Sequence, residues 1–234
     1  MSKSKGTYIT AEQYVSAKLN PEWLRYYIAA KLNGSIEDID LNLEDFMKKI
    51  NSDLVGKYIN ILSRTSGFLI KIFQGKILDY TNKKDSDISI FNLEKKFNEH
   101  TIKIEKSYEE RNTSKVIKDL IALMDLVNSF IDENKPWILA KRIQKESKES
   151  TKSKELETLH YVLSVSLNCF AKLTILIKPI LPSIAYKVEK DVFEISKPWL
   201  WTNINDLRIK SVKPVGHLIS RIEQADLDKL NDRN

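Results

Sequence analysis

Apolar residues in this chain recur at steps of three, four and seven. Ile117, Leu120, Met124, Val127 and Ile131 form one such series, and Leu156, Leu159, Leu163, Leu167, Phe170 and Thr174 form another. That spacing matches the 3.6-residue turn of an α-helix rather than the alternation of a strand. Only six Gly and six Pro interrupt 234 residues, few for the turn-dense connections of a β-sandwich. The pattern predicts an all-α protein: a bundle of four or five long helices preceded by a smaller segment. Hydrophobic residues make up 42% and charged residues 30%, a globular balance at a length that buries a substantial core.

Local signals place the elements. Thr10-Ala11-Glu12-Gln13 has the form of a capping box and predicts a helix from about Ala11. Asn20-Pro21 is a second start, with Asn as cap and Pro at the first helical position. Leu24, Tyr27, Ile28 and Leu32 give that helix an apolar stripe, and Asn33-Gly34 is its expected end. Asn42 caps a long helix marked by Leu43, Phe46, Ile50, Leu54, Ile61, Phe68 and Ile72 and closed at Gly75. Residues 81–86 read as a polar loop, 89–100 as a helix and 107–133 as another. Asn134-Lys135-Pro136 breaks the last of these and opens a short helix ending near Ile143. The Lys/Glu/Ser-rich stretch 144–154 reads as an exposed connector. Helices are expected over 155–177, 183–193 and, at the end, 224–230, with Trp199 and Trp201 packing the tail onto the bundle. This divides the chain into a connector over 1–42, a bundle over 43–197 and a tail over 198–234.

Composition narrows function only slightly. A net charge of +6 favours an anionic partner: RNA, an acidic protein or a membrane surface. Cys169 is the one cysteine, so no internal disulfide is possible; it reads as a buried small hydrophobe in a reducing compartment. The apolar stretch over 173–184 is broken by Lys178, Pro179 and Pro182 and is too short to span a bilayer. The polar N-terminus has no signal-peptide core. His100, His160 and His217 lack metal-ligand spacing, and no metal site is expected. Glu37, Asp38 and Asp40 are either a cation site or a solvated connector.

Three local patterns have chemical content. Asn60 and Arg64 are four apart on a helix and share a face. An amide and a guanidinium there are either an ordinary polar stripe or a pair suited to reading the edge of an unstacked base. Trp137, just after Pro136, is either core or an exposed platform for a splayed base. The opening Met1-Ser2-Lys3-Ser4-Lys5-Gly6-Thr7 is either a polar tail or a cationic loop suited to phosphates.

Taken together, Met1-Ser2-Lys3-Ser4, Asn20-Pro21-Glu22-Trp23-Leu24-Arg25-Tyr26-Tyr27, Asn60-Ile61-Leu62-Ser63-Arg64 and Pro136-Trp137-Ile138-Leu139-Ala140-Lys141 resemble the methionyl-tRNA synthetases from their KMSKS loop onward. The resemblance covers nearly the whole chain but only the C-terminal part of such an enzyme. Its leading lysine, HIGH signature and nucleotide-binding half have no counterpart in this sequence. The resemblance implies the helical anticodon-binding bundle of class I synthetases. It also implies that Asn60, Arg64, Pro136 and Trp137 form the anticodon site, with Trp137 stacking on the wobble cytosine of a CAU anticodon. Lys3 would be the KMSKS-loop lysine that stabilises ATP phosphates in the full-length enzyme. The implied partners are methionine tRNA, through its anticodon loop and inner stem, and ATP (with Mg2+) and methionine through the nucleotide-binding half. This chain alone is expected to be inactive and to bind no cofactor, and the enzyme to be cytoplasmic and away from membranes. Two rival readings are a non-catalytic RNA-binding or assembly module and a sibling ligase for another amino acid.

Overall fold

The computed structural model describes residues 9–35, 39–80, 88–146 and 148–231, so the motif at 1–4, the loop at 81–86 and Glu37 and Asp38 lie outside the described residues. Among these there is no β-strand; the chain is helical, as its periodicity predicts.

Two short helices come first. In α1 (Ala11–Ser16), the Thr10 hydroxyl accepts from the Gln13 amide at 3.0 Å and the Gln13 side chain accepts from the Thr10 amide at 2.9 Å, completing the capping box. In α2 (Pro21–Ala29), the Asn20 side chain accepts from the Glu22 amide at 2.9 Å. Asn20→Ala should cost about 1 kcal/mol of stability in urea denaturation; an unchanged midpoint would refute that role. α2 ends four residues before the expected Asn33-Gly34 stop. Of the predicted stripe, only Tyr27 is fully buried. Trp23, Tyr26 and Tyr27 fill the core, whereas Leu24 and Ile28 are half-buried and Leu32 is exposed. Aromatic bulk decides the helix's rotation, because each ring buries far more area than an aliphatic chain.

Three side chains tie α2 to distant parts of the chain. The buried Glu22 carboxylate accepts from the Ser183 amide and, at 3.0 Å, from the Ile184 amide. It thereby caps the distant helix α9 (Pro182–Lys187), which has no side-chain cap of its own. Arg25 donates to the carbonyls of Pro179 and Ile180. The Tyr26 hydroxyl donates to Asp53 at 3.1 Å; burial, and then the Asp53 carboxylate, hold its phenol well above the usual value.

The bundle begins with α3 (Leu43–Lys49), capped by Asn42 as expected. It continues through a ten-residue π-helical stretch, Ile50–Ile59, into α4 (Asn60–Phe73). The wide turns suit Gly56, since a Cβ there would meet the Asn51 carbonyl oxygen, five residues back, at 3.2 Å. α4 closes at Gln74 and Gly75, both in the left-handed region. Gly75 is required twice over, for its φ of +76° and because a Cβ would lie 2.4 Å from the Val212 carbonyl oxygen.

α5 spans Ile88–Glu109, and α6 spans Thr113–Asn134. The first is nine residues longer at its C-terminal end than the 89–100 helix predicted, and the second starts six residues later than 107. The sparse core positions Leu93, Phe97 and Ile104 continue a single buried line past residue 100. The break lies at Arg111, with φ +57°, and at Asn112, which caps α6 by accepting from the Lys115 amide. Ile117, Leu120, Met124, Val127 and Ile131 are all buried, as their spacing predicts. α7 is Pro136–Lys145 and α8 is Glu149–Ile177. α8 begins six residues before the expected 155, inside the stretch that reads as a connector. Its charged first turns are exposed, and Lys and Glu support a helix without help from a core.

α8 is the axis of the bundle. Every residue from Val162 to Ile177 is buried, so the helix is enclosed on all sides, and its few polar groups are bonded within the protein. The Ser166 and Thr174 hydroxyls each donate 2.8 Å to the carbonyl four residues back. A lysine at this depth needs a partner, and Lys172 Nζ lies 2.6 Å from Glu94 of α5. α8 is long and apolar enough to cross a bilayer by length and composition, unlike the broken 173–184 stretch; 89% of its apolar window is buried inside the bundle. Cys169 is buried among these residues. The described tail packs back, with Trp199 against Phe193 and Trp201 against Tyr108. The Asn51 amide both donates to and accepts from the Ile222 backbone at 2.9 Å. The final helix is α10 (Gln224–Asn231).

Candidate nucleic-acid interface

Three cross-helix pairs define one face of the bundle. Lys57 meets Asp125, Asn60 meets Asn128 and Arg64 meets Asp132. Each pair is 68 residues apart, so α6 runs parallel to the Lys57–Arg64 stretch in register, with α5 as the return between them. Lys57 Nζ is 2.7 Å from Asp125, and Asn60 Nδ2 donates to Asn128 Oδ1 at 2.9 Å. Asn128 Nδ2 in turn donates to the Lys57 carbonyl at 3.1 Å and the Met124 carbonyl at 2.9 Å. The Arg64 guanidinium pairs with the Asp132 carboxylate, whose pKa it holds below the usual carboxylate value. The tie is therefore intact at neutral pH and is lost only as the pH falls through that depressed range.

The α6–α7 junction supplies the third element. Lys135, with φ +43°, is at once the last cap of α6 and the first of α7, so one residue turns the chain. Pro136 is buried at the first position of α7, and Trp137 follows it, 37% exposed. Trp137 is thus not fully buried, in contrast to Trp23 and Trp199. The Arg64 guanidinium lies 4.8 Å from the centroid of the Trp137 ring, a cation–π contact that fixes the indole beside the Asn60/Arg64 stripe. Of the residues singled out from sequence, Asn60, Arg64 and Trp137 thus share one surface, Pro136 underlies it, and Lys3 lies outside the described residues.

Other features of this surface were missed in reading the sequence. Lys135 at the junction and Lys141, Arg142 and Lys145 on α7 are exposed and form no ion pair among the described residues. Lys141 and Lys145 follow Trp137 at helical intervals of four, so the aromatic platform continues into a line of cations. That spacing was the available signal. Asn128 and Asp132 become partners only through helix register. A flat ring flanked by an amide, a guanidinium and cations can stack a base, meet its polar edge and hold the phosphates beside it.

Two of the three histidines serve the fold. His100 Nδ1 is 2.9 Å from Asp119 between α5 and α6. The His160 ring stacks on Phe73 at 4.1 Å and its Nε2 lies 2.8 Å from the Lys76 carbonyl. Among the described residues no group of three or more His, Cys, Asp or Glu could hold a metal ion.

A family model described as tRNA synthetases class I (M) matches residues 1–66. A methionine–tRNA ligase of Neisseria meningitidis serogroup B is 43% identical over 235 residues, covering 100% of this chain and 31% of that protein. One from Cupriavidus pinatubonensis is 43% identical over 233 residues, covering 98% of this chain and 31% of its own length. The chain therefore spans about a third of the relatives it matches. Among solved structures, free Mycobacterium tuberculosis methionyl-tRNA synthetase aligns with a TM-score of 0.72 at 15% identity, over 86% of this chain and 39% of that one. The same enzyme with methionyl-adenylate gives 0.73 at 14%, over 87% and 38%; at such identities the likeness concerns the fold. With 43% identity to methionine–tRNA ligases along essentially its whole length, this chain belongs to the methionyl-tRNA synthetase family, as a segment about a third as long as those relatives.

Proposed function

We propose that this chain is the tRNA-reading part of a methionine–tRNA ligase, recognising the CAU anticodon of methionine tRNA. The observation that carries the reading is the exposed Trp137 ring held beside Arg64 and Asn60. In this reading Trp137 stacks on the wobble cytosine, Asn60 and Arg64 discriminate bases, and the cations of α7 hold the loop phosphates. Pro136 sets the start of α7 and hence the position of the ring. Residues 1–42 form the connector that follows the inner stem, 43–197 the anticodon-binding bundle, and 198–234 a tail that braces it. The whole cytoplasmic enzyme would use ATP, with Mg2+, to activate methionine, and Lys3 would belong to the loop that closes on the ATP phosphates. Charge placed where the leaving pyrophosphate develops is the physical contribution expected of Lys3.

The test is a titration of the chain with a CAU anticodon stem-loop and with stem-loops of other anticodons. The expected result is a clear preference for CAU, with affinity falling as salt rises, since each neutralised phosphate contributes about −0.7 to −0.9 to the slope of log K against log salt. Equal binding of all the stem-loops would sink the reading. Binding without salt dependence would remove the role given to Lys135, Lys141, Arg142 and Lys145.

A further inference from the structure

We infer that Asn128 is a positioning residue that fixes which end of the Asn60 amide faces the RNA. This role rests on the anticodon reading and adds its polarity: Asn60 presents an oxygen, and so selects a base with an exocyclic amino group.

Donor and acceptor chemistry sets that polarity. One end of the Asn128 amide touches two main-chain carbonyls, Lys57 at 3.1 Å and Met124 at 2.9 Å. Carbonyl oxygens only accept, so that end must be the NH2 group. The other end is therefore Oδ1, which needs a donor, and it faces the Asn60 side chain at 2.9 Å. Asn60 must turn its own NH2 towards Asn128. Reversing the Asn60 amide would set two oxygens against each other, and Asn128 cannot turn to relieve them without losing both carbonyl bonds. The chain Lys57–Asn128–Asn60 thus runs in one direction only, from backbone acceptor outward. It ends at Asn60 Oδ1, an acceptor on the half-exposed Asn60 beside the Arg64–Trp137 pair.

An outward acceptor selects amino-bearing edges. Cytosine and adenine both offer an exocyclic NH2 on the pairing edge, and both occur in CAU. Uracil in the cytosine position offers an oxygen instead, which Asn60 Oδ1 would repel. Arg64 next to it presents only donors. Together the two side chains match an edge carrying an amino group and an acceptor.

The test uses the whole 234-residue chain and four stem-loops: CAU, the C→U and A→U replacements, and one with purine riboside for adenine, which deletes only the amino group. Wild type should lose about tenfold or more in affinity at one of the two amino-bearing positions. Asn128→Ala should reduce that difference to about twofold while keeping the salt slope. A role in stability alone would weaken all four RNAs alike, leave the pattern unchanged and so overturn the inference. Discrimination that survives in a folded Asn128→Ala chain would likewise overturn it and spare the anticodon reading. Equal binding of all four by wild type would instead overturn the anticodon reading. A second measurement does not depend on a variant folding: proton exchange of the Asn60 side-chain NH2 in the wild type. Protection before and after CAU binding supports the fixed polarity, and loss of protection on binding overturns it.

Discussion

Replacing Trp137 with alanine should weaken binding of a CAU anticodon stem-loop by about 1–3 kcal/mol, the usual worth of one base stacked on an aromatic side chain. That corresponds to roughly five- to 150-fold in affinity. Trp137 is 37% exposed and its described cation–π partner is the Arg64 guanidinium, so the folded state should lose less than it would for a core tryptophan. A buried tryptophan truncated in this way would cost about 3–5 kcal/mol of stability. A binding isotherm and a melting curve on the same variant separate the two. Unchanged affinity would remove Trp137 from the interface, whatever the stability. Trp137→Phe should fall between wild type and alanine, because a smaller ring still stacks.

The opposite profile is expected of Phe170→Ala. Phe170 is fully buried on the central helix α8; its ring stacks on Tyr58 with centroids 4.8 Å apart and meets Phe193 at 6.2 Å. The Tyr58 hydroxyl, whose phenol burial pushes above its ordinary value, bonds the Thr174 hydroxyl at 2.7 Å just beyond. Removing the ring leaves a cavity among residues already committed to other partners, at a cost of about 3–5 kcal/mol. Chemical denaturation should show the loss, while the folded fraction binds the stem-loop as wild type does. A loss below about 1 kcal/mol would mean that the site collapses freely and that α8 is not the rigid axis described. Tyr58 lies two positions before Asn60, so this core supports the recognition face from beneath.

Much of this protein is legible from short-range chemistry. Helix caps at Thr10, Asn20 and Asn42, the break at Asn134-Lys135-Pro136 and the apolar face of α6 all follow from which atoms a residue offers to its neighbours within a turn or two. The same range of interaction puts Asn60 and Arg64 on one face and Trp137 in the first turn of a helix. Where sequence and structure part, the cause is also physical. The 144–154 stretch reads as a connector because it has no apolar stripe, yet a helix of good formers needs none for its first turns. The π-helical stretch Ile50–Ile59 leaves no mark on a period count, since aliphatic positions such as Ile50 and Leu54 still face inward.

The sequence by itself determined that the chain is helical, most of its helix caps and the residue types offered on each face, because those depend on hydrogen bonds and side-chain directions a few residues apart. Only the tertiary structure decided that Trp137 is open to solvent, that Arg64 lies over its ring and that Asn128 orients Asn60. Those outcomes depend on the register of helices whose partner residues lie 68 or more positions apart, and a register is chosen by the packing of a whole core around α8, not by any residue in the site.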